Sequence, residues 1–189
     1  MSIKKVITQW GVCIRDKPVV FKMMIILSKY DMDQISEQLY YIRCKEYVQC
    51  PHCGGLLKVI GSRKRKYINS AGEKVTLIIR RLRCKNCKRI HHELPDILIP
   101  YKRYESISIE NLLVDTERSN TPAEDSTFYR WKLWFNNLLI RILSFLLSNL
   151  DKKTMKCGLY TCIILISFLK NYPRWLAILV RQLVNLNFW

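Results

Sequence analysis

Two Cys-x-x-Cys pairs set the strongest limit on how this chain folds. Cys50-Pro51-His52-Cys53 is answered by Cys84-Lys85-Asn86-Cys87, with 30 residues between them. Paired knuckles of this spacing bring four thiols to one point, and Zn²⁺ takes four thiolates at tetrahedral corners. The pattern therefore predicts a zinc centre on Cys50, Cys53, Cys84 and Cys87. A disulfide pairing is disfavoured, because a two-residue spacing closes a small, strained loop. His52, His91 and His92 are spare ligand types, but four cysteines already complete the shell.

The segment between the knuckles must be structured to return the chain to the metal. Leu56 to Ile60 is apolar, Lys66-Tyr67-Ile68 continues it, Asn69 to Gly72 is a turn cluster, and Val75 to Ile79 is β-branched. That order predicts a β-hairpin, and with the knuckles a zinc ribbon.

Charge in this stretch exceeds what a metal needs. Between Cys50 and His92 there are twelve Lys or Arg against one acid, Glu73. A zinc tetrathiolate carries a formal −2, which Lys85, Lys88 and Arg89 beside the second knuckle offset. The remaining cations, Arg63, Lys64, Arg65, Lys66, Arg80 and Arg81 among them, suit a phosphate backbone. The alternative is a solvated basic face with no ligand. The whole chain of 189 residues carries a formal net charge of +17, which favours nucleic acid or an anionic membrane as partner.

Beyond the ribbon the reading is coarser. Residues 1–49 form an N-terminal extension, with strands at Val19 to Phe21 and Met23 to Leu27 and a helix over Asp31 to Tyr47 from the spacing of Ile35, Leu39 and Ile42. Lys4-Lys5 before Val6 to Ile14 is a weak signal-peptide pattern, interrupted by Thr8 and Gln9. Residues 50–104 are the ribbon and its exit through Pro95 and Pro100. Residues 105–189 are a helical region. Its first part, 105–127, holds six acids and one base, with a short helix about Ile107, Leu112 and Leu113.

From Ser126, Phe128, Trp131, Phe135, Leu138, Ile142, Phe145 and Leu146 recur at helical spacing, which predicts one amphipathic helix of about 24 residues. Met155 to Leu169 and Arg174 to Leu186 are further helices. None reads as a membrane span, since about 20 unbroken apolar residues are needed. The apolar helices would pack internally or against a protein partner or second copy. Eight cysteines, four of them metal-spaced, suit a reducing, cytoplasmic setting, with Cys13, Cys44, Cys157 and Cys162 as small buried hydrophobes.

Three blocks together carry a resemblance. They are Cys50 to Gly55 with Arg80 to Asp96 and Pro100 to Tyr104; Pro122 to Phe135; and Trp175 to Trp189. As a set they resemble an uncharacterised bacterial family, mainly of Firmicutes, with a domain of unknown function. More distantly, a ribbon followed by Ser126-Thr127 and Arg130-Trp131 resembles the front end of insertion-sequence transposases. That likeness implies a helix-turn-helix whose reader starts at Ser126, with Thr127, Tyr129, Arg130 and Lys132 toward duplex DNA and Phe128 and Trp131 toward the core. The chain departs from a full transposase, because Asp151 is the only acid after Ser126 and no two-metal carboxylate set can form.

The combined expectation is an α+β chain: a zinc-ribbon hairpin domain, then an all-α, helix-turn-helix-like region. Its expected role is nucleic-acid binding without a catalytic centre. The alternative is a protein-interaction or membrane-surface module that uses the apolar C-terminal helices.

Overall fold

A computed structural model describes residues 24–114, 122–148 and 171–185. The expected strand at Val19 to Phe21, the signal-like start and the helix over Met155 to Leu169 lie outside the described residues. Strands β1 (Met24–Leu27), β2 (Tyr30–Ser36), β3 (Leu39–Cys44), β4 (Leu57–Ile68), β5 (Lys74–Cys84) and β6 (Ile90–Pro95) form one mixed sheet. Helices α1 (Ser106–Val114), α2 (Asp125–Ser148) and α3 (Trp175–Asn185) accompany it.

The hairpin between the knuckles is present and is the hub of the sheet. β4 pairs antiparallel with β5 along its whole length, from Leu57 opposite Cys84 to Ile68 opposite Lys74. The Asn69–Glu73 turn closes it: Asn69 N donates to Glu73 O and Gly72 N to Asn69 O, with Gly72 at φ 86. The other edge of β5 is shared. β3 pairs in parallel with its first half through Leu39 to Tyr41, and β6 pairs antiparallel with its second half at Arg81 to Arg83. β1 extends the sheet beyond β6, and β2 extends it beyond β3.

This architecture corrects two expectations. The fold is not a zinc-ribbon domain followed by an all-α, helix-turn-helix-like region. It is a six-stranded mixed sheet curled into a half-barrel, with the helices packed on it. An isolated ribbon would leave the second edge of β5 unpaired, and β3 and β6 cover it instead. Secondly, the segment read as a helix over Asp31 to Tyr47 is largely the β2–β3 hairpin. Tyr30, Tyr40, Ile42 and Cys44 pack into one core, so a period of two governs there, while Ile35 of the apparent helical stripe is exposed at 56%. Ion pairs across the hairpin, Asp33 to Arg43 at 2.6 Å and Asp31 to Lys45 at 2.7 Å, accompany this pairing.

Two cores flank the sheet. One contains Leu27, Ile42, Tyr67, Leu77, Ile79, Leu94 and Leu98, drawn from strands and the loop after β6, and among the described residues no helix contributes to it. The other joins Ile26 and Ile99 to the helices through Ile109, Trp131, Phe135, Trp175 and Val180. In β1 the pleat sends Ile25 and Leu27 to the first core and Ile26 to the second.

The helix expected from Ser126 is present as α2, 24 residues long, and its apolar stripe is turned inward. Trp131, Phe135 and Leu138 are buried, whereas Tyr129, Arg130 and Lys132 are exposed. Trp131 meets the Tyr104 ring edge-on at 5.0 Å, and Phe135 meets Trp175 at 5.4 Å. The stripe that would brace a recognition helix thus packs α2 onto the sheet's exit loop and α3.

Polar clamps fix α3 above β1. Asn185 Oδ1 accepts from Ile26 N at 3.1 Å and its Nδ2 donates to Ile26 O at 3.3 Å, so one amide satisfies both backbone groups of Ile26. At the other end, Glu110 of α1 accepts from the Arg174 and Leu176 amides at 2.9 and 3.0 Å, capping the start of α3. Among the described residues, no helix is long and apolar enough to cross a membrane.

Candidate metal centre and basic groove

The two knuckles are built alike. In each, the first cysteine amide donates to the carbonyl five residues on: Cys50 N to Gly55 O at 3.0 Å, and Cys84 N to Arg89 O at 2.9 Å. In each, the residue after the second cysteine turns left-handed, Gly54 at φ 67 and Lys88 at φ 62. Lys85 N donates to Leu56 O, which ties the second knuckle to the exit of the first. Gly55 lies against Asn86, where a Cβ would come within 2.7 Å of the side-chain amide.

This arrangement brings together the four cysteines expected from spacing. Their sulfurs lie within 4.8 Å of one another, with Cys50 to Cys87 at 3.6 Å and Cys53 to Cys84 at 3.4 Å. Disulfides are excluded among these four, because a bond needs about 2.05 Å. A tetrahedral ion with bonds of about 2.3 Å to sulfur sets its ligands about 3.8 Å apart. The four sulfurs fit a metal ion of that kind.

The protein's own groups prepare unequal thiols. Burial pushes the Cys50 thiol up to about 12. Burial also opposes the Cys84 thiolate, but hydrogen bonds from the Cys87 and Asn86 backbone outweigh it and hold that thiol down at about 6. His91 is fully buried, and its Nε2 lies 3.2 Å from Cys50 Sγ. With the proton on Nε2 the ring donates to the Cys50 sulfur. Nδ1, which has no partner, is then an acceptor rather than a stranded donor. His91 is therefore a neighbour that supports the cluster. Sequence weighed it as a ligand; only the pairing of Leu82 with His91 across β5 and β6 shows its place.

The basic residues divide into three groups. Arg80 is committed to the fold: its Nε and NH2 reach the fully buried Glu93 carboxylate at 2.6 and 2.8 Å. Arg81 is half-buried beside it, opposite Gly61 and His92. Arg63, Lys64, Arg65 and Lys66 lie on β4, whose outer edge pairs with no strand among the described residues. They line an open groove of about 480 Å³ with Tyr67, and Lys74 and Arg103 join them. Lys74 comes from β5, and Arg103 is positioned by its carbonyl, which accepts from Ile68 N at 2.7 Å. Among the described residues, no carboxylate lines the groove. Its inclusion of Arg103 was not legible locally, because that residue arrives from the loop after β6.

The remaining expected positions sit on α2. Thr127 is half-buried, and Tyr129, Arg130 and Lys132 point to solvent. Pro122, just ahead of the helix, lies against Gly72, so α2 starts beside the tip of the β4–β5 hairpin.

Residues 50–131 match a family described as a domain of unknown function (DUF6431). The match runs from the first knuckle through β4, β5, β6 and α1 to Trp131 on α2, and so contains both the cysteine cluster and the groove. No curated protein and no solved structure matches the chain.

Proposed function

We propose that this is a zinc-stabilised nucleic-acid-binding protein that holds the phosphate backbone on the outer side of β4. The carrying observation is the groove lined by Arg63, Lys64, Arg65, Lys66, Lys74 and Arg103, with no carboxylate among the described residues that line it. Six like charges around one groove repel one another, and a polyanion relieves that repulsion while releasing its own counterions. Tyr67 lies among them. The exposed Tyr129, Arg130 and Lys132, on a helix that starts beside the hairpin tip, extend the basic surface.

Zinc has a structural part in this reading. Four cysteine ligands leave no open coordination position for a substrate, and the ion would join the start of β4 to the end of β5. No catalytic step is assigned. Duplex DNA is the expected partner. A charged edge strand can also serve simply to prevent edge-to-edge aggregation, and the salt dependence of binding separates the two roles.

The test is a titration of the full-length chain against duplex and single-stranded DNA and RNA at several salt concentrations. Log affinity should fall linearly with log salt, with a slope of about −0.9 per phosphate neutralised on a duplex and about −0.7 on a single strand. Replacing Arg63, Lys64 and Lys66 by alanine should weaken binding to all sequences alike. It should also make the slope shallower by about one unit for each phosphate that is no longer neutralised. A slope that the triple variant leaves unchanged would remove the groove from the interface.

A further inference from the structure

A second, smaller cavity of about 100 Å³ adjoins the groove, and Arg63 and Arg65 line both. They share a face of β4 because strand side chains alternate with a period of two. The other walls are Met24, Ile79, His92, Leu94 and Tyr101. We infer that this cavity is a phosphate-monoester site, which receives the terminal phosphate of a strand lying in the groove. The inference rests on the nucleic-acid reading above and names the end group that the same surface selects.

Size is the first argument. An engineered cavity of about 150 Å³ holds benzene, so this one does not enclose a nucleobase. A phosphoryl group is smaller than either. Connectivity is the second. An internal phosphodiester is esterified on two sides and suits the more open groove, whereas a monoester enters a small side cavity by one attachment. It also carries about −1.5 to −2 charges at pH 7, more than a diester.

Charge is the third argument. Among the described residues, neither Arg63 nor Arg65 has a carboxylate partner within ion-pair distance. Arg65 is anchored by its NH2, which donates to Lys102 O at 2.7 Å, while its buried Nε has no partner. Burial, with Arg63 and Arg103 nearby, holds that guanidinium below its usual range. A bound oxyanion would offset the like charges of Arg63, Arg65 and Arg103. Tyr101, 57% exposed and at φ 64, supplies a ring at the same cavity on which a terminal base can stack.

Anisotropy titrations of the full-length chain would compare one single-stranded oligonucleotide in three forms: 5′-phosphate, 3′-phosphate, and hydroxyl at both ends. One phosphorylated form should bind roughly tenfold tighter or better, the scale of a charge-assisted hydrogen bond. Arg63→Ala and Arg65→Ala should erase that ratio, whereas Lys64→Ala and Lys66→Ala should weaken all three forms alike. Should Arg65→Ala melt early through loss of the Lys102 anchor, the exposed Arg63→Ala decides alone. Equal binding of the three forms overturns the cavity assignment and leaves the groove reading intact. If no oligonucleotide binds, yet inorganic phosphate raises the melting temperature of the wild type and not of Arg63→Ala, the phosphate site stands and the nucleic-acid reading falls.

Discussion

Lys88 and Gly54 occupy equivalent places in the two knuckles, at φ 62 and φ 67. The left-handed region costs an L-residue with a Cβ roughly 1–2 kcal/mol, and glycine avoids that penalty. Lys88 offsets part of it by donating from Nζ to Lys85 O at 2.6 Å. Lys88→Gly should therefore stabilise the protein by up to about 1 kcal/mol, and Gly54→Ala should destabilise it by about 1 kcal/mol or more. No atom lies within 4 Å of a Cβ built on Gly54, so that loss would be conformational rather than steric. Paired thermal melts check both, with shifts of a few degrees in opposite directions. Asn185 supplies a second case. Its amide both accepts from Ile26 N and donates to Ile26 O, which a carboxylate cannot do. Asn185→Asp should cost about 1–3 kcal/mol at neutral pH, because the Ile26 carbonyl would then face an acceptor. Denaturant unfolding measures it.

At the scale of elements, α2 illustrates how one helix serves two media. Its apolar stripe was legible because helical neighbours recur at three and four residues, and Trp131, Phe135 and Leu138 are buried as the spacing requires. Trp131→Ala should cost about 3–5 kcal/mol, since it removes a ring packed on Tyr104 and Phe128 and leaves a cavity. Arg130→Ala should stay within about 0.5 kcal/mol of wild type, because the side chain is exposed. Melting curves of the two variants test the face assignment, and reversed effects would refute it. β4 shows a different division. Tyr67 enters the core, and Arg63 and Lys64 remain exposed. A strand with one edge open and cations along it resists self-pairing, and the same edge presents its charge to a polyanion.

At the scale of the whole molecule, the cysteine cluster and the two cores occupy separate places. The knuckles sit at one end of the β4–β5 hairpin, whereas Leu77 and Ile79 are held by the strand core and α3 by the helical core. Chelation, or Cys84→Ser, should therefore free the ends of β4 and β5 and leave the rest folded. Amide exchange should lose protection at Cys50, Gly54 and Cys84 and retain it in the middle of β5 and in α3; elemental analysis of the untreated protein should give about one zinc per chain. Global unfolding on chelation would show instead that the cores depend on the metal. The amino-acid sequence by itself determined the four-cysteine cluster, the hairpin between the knuckles, and the helices at α2 and α3. Each is a local signal: ligand types at fixed spacing, a turn between β-branched runs, and a helix whose hydrogen bonds close within four residues. Tertiary structure alone decided that residues 30–44 pair as strands, that β3 and β6 share an edge of β5, and that His91 meets Cys50. It also decided that Glu110 caps α3 and that Arg103 and Tyr101 join the basic surface. A strand's hydrogen bonds end on a partner far along the chain, so register, not local pattern, decides which distant side chains meet.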